Sequence, residues 1–192
     1  MIVSTEKKFV FTAIPKTGTT SIENVLRKYC DEDEEDVLVQ HQRLKNVEHL
    51  LDESYYKFCF FRNPWDRMVS WYHFSVKQGG YFFNHPHDKL SFDEWLARSK
   101  VTGTLKKRQT HWIESRGKLI PDVAIYKFEE MDDAWKHICE TLDISGELPH
   151  INKSKHKHYS EYYTEESKRI VAIHCYGEIK MMNYKFEKGE IK

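Results

Sequence analysis

The chain has 192 residues, 40% of them hydrophobic, 14% aromatic and 31% charged, enough apolar material for one ordinary globular domain over residues 1–192. Its 30 basic side chains equal its 30 acidic ones, which excludes a global field that would recruit nucleic acid or an anionic membrane, so any anion must be met by a local patch. No run approaches the ~20 apolar residues of a membrane span and the opening MIVSTEKKFVFTAIPK is no signal peptide, so the expectation is a cytoplasmic protein whose Cys30, Cys59, Cys139 and Cys175 are free thiols, buried or partly buried.

Along the chain, Lys8 to Ile14 is a β-branched and aromatic run stopped by Pro15, and reads as a buried first strand. From Thr20, apolar residues at Ile22, Val25, Leu26 and Tyr29 follow helical spacing, with Thr20 and Glu23 at capping-box distance. The acidic run at residues 31–36 reads as a solvated linker, because adjacent carboxylates resist burial. Val37 to Gln40 reads as a second strand, and Leu44, Val47 and Leu51 as the face of a helix. Tyr55 to Phe61 is almost continuously apolar, as in a parallel strand covered on both faces.

A helix starts at Pro64, with Trp65, Met68, Val69, Tyr72 and Val76 on one face and Arg67 and Ser70 on the other, and Gly79-Gly80 ends it. Ser91 and Glu94 have the spacing of a second capping box. A loop, a strand from Val123 to Phe128, a helix bearing Met131, Ala134, Trp135, Ile138 and Leu142, and a closing helix near residues 165–176 complete the pattern. Strands alternating with helices imply a central parallel sheet flanked by helices, and ligands of such sheets bind beyond the carboxyl ends of the strands.

The loop from Ile14 to Ser21 joins a strand to a helix N-terminus, where backbone N–H groups and the positive end of the helix dipole hold phosphate-like anions. Lys16 supplies a compact charge, Gly18 close backbone approach, and Thr17, Thr19, Thr20 and Ser21 supply N–H groups and hydroxyls. A Walker A loop places lysine after its second glycine; here Lys16 precedes the only glycine, which disfavours a triphosphatase. A second basic segment, Arg62 to Ser70 (RNPWDRMVS), lies at a strand end and helix start, where Arg62, Ser70 and free N–H groups can surround another anion. Standing alone, Arg62, Asp66 and Arg67 would read as a surface ion-pair cluster.

PKTGTTS after a strand resembles the 5′-phosphosulfate loop of the sulfotransferases that use 3′-phosphoadenosine-5′-phosphosulfate (PAPS), and RNPWDRMVS resembles that family's grip on the 3′-phosphate. The segment from Gln109 to Glu129, with LPHINKSKHKHYSEYYTEES, is similar to the carboxyl-terminal half of the carbohydrate-type, family 2-like members. The chain's Ile179 to Phe186 departs from the family's usual ending but keeps its aromatic residues. The resemblance implies an α/β, single-domain, P-loop-like three-layer fold and a sulfuryl transfer from PAPS to an acceptor hydroxyl, a carbohydrate being favoured. The product would be 3′,5′-adenosine diphosphate (PAP).

It further implies a general base after the phosphosulfate loop, a place His41 fills, with Glu48 and His111 behind it; an imidazole of ordinary pKa suits proton removal at neutral pH. Lys153, Ser154 and Lys155 would lie over the nucleotide, and a solvated basic loop is their plain alternative. The pairs His85/His87 and His156/His158 lack further ligands at metal spacing, so no metal is expected. Trp71, Tyr72, Phe74, Tyr81, Phe82 and Phe83 form a core and lid cluster from which one ring could stack on adenine or a sugar. A kinase-like phosphoryl transferase and a non-catalytic PAP- or PAPS-binding module remain as alternatives, and subunit number stays open.

Overall fold

A computed structural model of the chain describes residues 1–30, 41–77, 90–103, 105, 107–149 and 156–189. In chain order its strands and helices are β1 (Ile2–Ser4), β2 (Phe9–Thr12), α1 (Thr19–Leu26), β3 (Tyr56–Phe61), α2 (Pro64–Lys77), α3 (Phe92–Thr102), β4 (Glu114–Ser115), β5 (Lys118–Leu119), β6 (Val123–Lys127), α4 (Met131–Leu142), α5 (Glu165–His174) and α6 (Tyr176–Met182). They group into two compact units, Met1–Arg62 with Gln109–Asn152, and Asn63–Arg108 with Lys153–Lys192. No helix among the described residues is long and apolar enough to cross a membrane.

The first unit carries a sheet of order β1-β2-β3-β6, in which β2, β3 and β6 run parallel and β1 is an antiparallel edge. β3 sits between two neighbours, and its residues 58–61 are fully buried, which explains the unbroken apolar run. On one face, Phe9, Phe11, Phe58 and Phe60 pack with Ile22, Val25 and Leu26 of α1 and Ala134, Trp135, Ile138 and Leu142 of α4. Each such side chain contributes roughly 1.5–3 kcal/mol when taken out of water. Cys59 and Phe61 are buried as well, and burial pushes the Cys59 thiol far above its ordinary range. All four cysteines are free thiols, two buried and two partly buried, as expected.

The register places Thr12 beside Cys59 and Phe61 beside Lys127, so β2, β3 and β6 end on one edge of the sheet. The segments that leave β2 and β3 at that edge are the ones the sequence marks for anion chemistry.

In the second unit, α2 packs on α3 and α5. Asn63 caps α2, its Oδ1 accepting from the Trp65 amide at 3.1 Å, and Pro64 holds the first helical position, where its missing N–H is no loss. The Trp65 indole donates to the Lys168 carbonyl at 3.0 Å, and Tyr163 donates to the Trp65 carbonyl at 2.8 Å. α3 begins with the expected capping box of Ser91 and Glu94. Trp71 is buried, and Tyr72 joins Phe92, Trp95 and Tyr162 in edge-on ring contacts.

Three expectations need correction. Leu44, Val47 and Leu51 do not share a helix: residues 44–46 and 48–50 form two single 3-10 turns, since a short segment with few buried positions gains too little to nucleate an α-helix. The Thr20–Glu23 capping box is not made, for α1 starts one residue earlier with Gly18 as N-cap and no side-chain cap. Glu23 is instead buried, its carboxylate 3.8 Å from the Met1 nitrogen. Arg67 and Ser70, read as facing away from the apolar side of their helix, are both buried, which removes the surface ion-pair alternative for Arg67. The strand at 37–40, the linker at 31–36, Gly79-Gly80, Tyr81 to Phe83, the His85/His87 pair and the basic triplet Lys153, Ser154 and Lys155 lie outside the described residues.

Candidate active site

The chain leaves β2 through Ala13 and turns sharply at two left-handed residues, Lys16 (φ 71°) and Gly18 (φ 73°). The turn is locked from within: the Thr17 hydroxyl, fully buried, donates to the Ile14 carbonyl at 2.9 Å, and the Ser21 amide donates to Gly18 at 3.2 Å. Thr19 and Ser21 are buried, whereas Thr20 is exposed. With no side chain capping α1, its first amides are the groups an anion would meet, reinforced by the helix dipole.

Gly18 is fixed by two independent demands. Its φ is one that residues with a Cβ adopt at a cost, and a Cβ there would lie 2.9 Å from both the Met131 methyl and the Phe128 ring. The glycine thus serves close packing against the β6–α4 junction, beyond the ligand approach read from the sequence.

Arg62 follows β3 on the same sheet edge. Its guanidinium lies 4.5 Å from the Phe128 ring centroid and donates from Nη1 to the Lys16 carbonyl at 3.2 Å. The backbone of Arg62 is held by the side-chain amide of Gln109, which is fully buried: Oε1 accepts from the Arg62 amide at 2.8 Å and Nε2 donates to its carbonyl at 3.0 Å. One side chain thereby extends the sheet by a rung beyond the end of β3. Sequence reading missed this residue; a lone glutamine with both amide atoms in use leaves no periodic trace.

His41 stands on an exposed turn in a left-handed conformation, φ 52°. Its Nδ1 lies 3.0 Å from the carbonyl of Ala13, the residue between β2 and the anion loop. A carbonyl only accepts, so Nδ1 carries the proton, and in the neutral ring the lone pair is on Nε2. The Trp112 ring lies 6.2 Å away, centroid to centroid. Two residues on, Arg43 donates to the carbonyls of His111 at 2.8 Å and Glu114 at 3.2 Å. His111 is partly exposed with Nδ1 3.7 Å from the Glu114 carboxylate, and Glu48 is exposed on its 3-10 turn.

The structure thus gathers Lys16, Gly18, Arg62 and His41 around the ends of β2 and β3 within one unit. Ser70 belongs to the other unit, in the second turn of α2, and is buried there. Arg67, in the same helix, lies 4.9 Å over the Trp71 ring and donates to the Lys107 carbonyl at 3.2 Å. Its neighbourhood is that of a structural cation.

Residues 1–175 match the sequence model of the sulfotransferase family. No curated protein matches the chain. Among solved structures, the chain is similar to mouse sulfotransferase SULT7A1, crystallised with PAP, at 15% identity and a TM-score of 0.55 over 98% of this chain and 87% of that one. It is also similar to a sulfotransferase from Alicyclobacillus acidocaldarius, at 15% identity and a TM-score of 0.51 over 93% of this chain and 96% of that one. Both neighbours share its P-loop-like α/β fold.

Proposed function

The chain belongs to the sulfotransferase family, and from that premise we propose that it moves a sulfuryl group from PAPS to a hydroxyl of a carbohydrate acceptor, with His41 as general base and without a metal. The observation that carries the reading is the hydrogen bond of 3.2 Å from the Arg62 guanidinium to the main-chain carbonyl of Lys16, which joins the segments that leave β2 and β3. Two cationic side chains there suit a donor that bears an anion at each end. The PAP in the crystal of SULT7A1 supports the choice of donor.

In this proposal the acceptor oxygen attacks sulfur in line, its proton passes to Nε2 of His41, and the bond from sulfur to the phosphate oxygen breaks to release PAP. Lys16, the amides of Thr17, Gly18, Thr19 and Thr20, and the hydroxyl of Ser21, whose own amide closes the turn onto Gly18, stabilise the charge that builds on the transferring and leaving oxygens. Arg62 holds the 3′-phosphate, whose binding energy orients the donor and separates it from ATP. Ser70, Lys153, Ser154 and Lys155 keep donor-binding assignments that rest on the family resemblance. One sulfotransferase domain over residues 1–192, working in the cytoplasm, completes the proposal, and four free thiols are compatible with a reducing compartment.

Calorimetric titration with PAP, ATP and AMP in the absence of magnesium tests the donor. Selective binding of PAP, weakened about 10- to 100-fold in Arg62→Ala by the loss of a charged contact, is the expected result. Equal affinity for all three nucleotides would overturn it, and magnesium-dependent ATP turnover would mark a phosphoryl transferase instead. Labelled PAPS offered with a panel of glycans then tests the acceptor class.

A further inference from the structure

An exposed histidine in a left-handed backbone conformation does not hold a fixed ring orientation unaided, for the strain of such a residue persists only where its surroundings impose it. His41 is held on one side by the Ala13 carbonyl, 3.0 Å from Nδ1. On the other side the chain is pinned two residues later by Arg43, whose side chain spans the carbonyls of His111 and Glu114 at 2.8 and 3.2 Å. Both acceptors are backbone atoms, so what Arg43 provides is geometry: a rigid planar fork bridging two fixed points, which a lysine's single ammonium does not reproduce.

We propose that Arg43 is a positioning residue for the transfer reaction, fixing the backbone at His41 so that the imidazole keeps its proton on Nδ1 and presents Nε2 as the base. The assignment rests on the reading of His41 as the base. Arg43 touches neither donor nor acceptor in this role; it acts through residue 41. The carbonyls it grips belong to the segment that opens with Gln109, whose amide holds Arg62. One segment, residues 109–114, therefore supports the proposed base and the proposed phosphate ligand together.

The test is long-range nitrogen–proton NMR of uniformly 15N-labelled protein above pH 7.5, with His41→Gln used to identify the His41 ring signals. The wild-type ring is expected as the Nδ1–H tautomer. In Arg43→Ala and in Arg43→Lys that tautomer is expected to be lost in favour of the Nε2–H form that dominates an unrestrained imidazole, with PAP affinity within about twofold of wild type. A wild-type ring protonated on Nε2, an unchanged tautomer in Arg43→Ala, retention of it in Arg43→Lys, or loss of PAP binding through unfolding of the variants would each overturn the assignment. Failure of the base reading appears elsewhere, as undiminished release of PAP from PAPS by His41→Gln in the glycan panel, so the two ideas fall separately.

Discussion

The two basic segments marked in the sequence, PKTGTTS and RNPWDRMVS, look alike on paper: each leaves a strand, contains proline and enters a helix. In three dimensions they are built on opposite principles. The first is shaped by backbone, with Lys16 and Gly18 left-handed, no side chain capping α1, and the Thr17 hydroxyl turned inward onto Ile14. The second is shaped by side chains that hold the protein together: Asn63 caps α2 and also donates to the Lys185 carbonyl at 2.9 Å, while Arg67 is buried against Trp71. A basic motif at a helix start can thus be shaped by its backbone or by its side chains, and the sequence alone does not separate the two cases.

Substitutions should divide along that line. The largest effect is expected for Lys16→Ala, a fall of roughly 10²- to 10³-fold in turnover of labelled PAPS, with the melting temperature unchanged and PAP affinity altered far less. A comparable loss of stability in Lys16→Ala would erase the distinction between the two segments. Arg67→Ala should behave in the opposite sense, losing about 3 kcal/mol in urea unfolding through its charged hydrogen bond and ring contact. Asn63→Ala should lose about 1 kcal/mol as a removed helix cap, read in the same unfolding curves.

The smallest effect lies further along α2, at His73. Its ring stacks on that of His156 at 4.8 Å and its Nε2 is 2.8 Å from the Tyr162 hydroxyl. Burial, and then the neighbouring His156, hold His73 below the ordinary value of 6.5. Between the lowered folded value and 6.5 the unfolded chain binds more protons, so this residue's contribution to stability is intact above 6.5 and declines as the pH falls below it. Thermal melts from pH 5 to 7.5 should show a shallower acid loss for His73→Asn than for wild type. An identical slope would remove His73 from the side-chain framework of α2.

The elements legible in the sequence were those in which a long apolar run or helical spacing is linked to burial. β2, β3 and β6 came from apolar runs, of which β2 and residues 58–61 of β3 are buried and β6 is partly buried, and α2 and α4 from helical spacing, although α2 also buries Arg67, Ser70 and Ser75. The elements missed break that link. α6 buries Glu178 while exposing Tyr176 and Met181, the reverse of the expected pattern. β4 and β5 have two residues each, and their turn places Arg116 (φ 50°) where asparagine is the usual sign. β1 is three residues long, too short for alternation to register. At the site, Lys16, Gly18, Arg62 and His41 were legible through motif and order, whereas Gln109 and Arg43 act on backbone atoms remote in sequence, and no local pattern encodes such a partner.

The rung that Gln109 adds beyond β3 also makes a clock of one proton. The Arg62 amide is protected by a side chain 47 residues away in sequence, so it can exchange with deuterated solvent whenever the 109–114 segment lifts, even while the sheet beside it stays shut. Its exchange rate set against those of the preceding Phe60 and Phe61 would report how often residues 109–114 lift from the end of β3 in the resting protein.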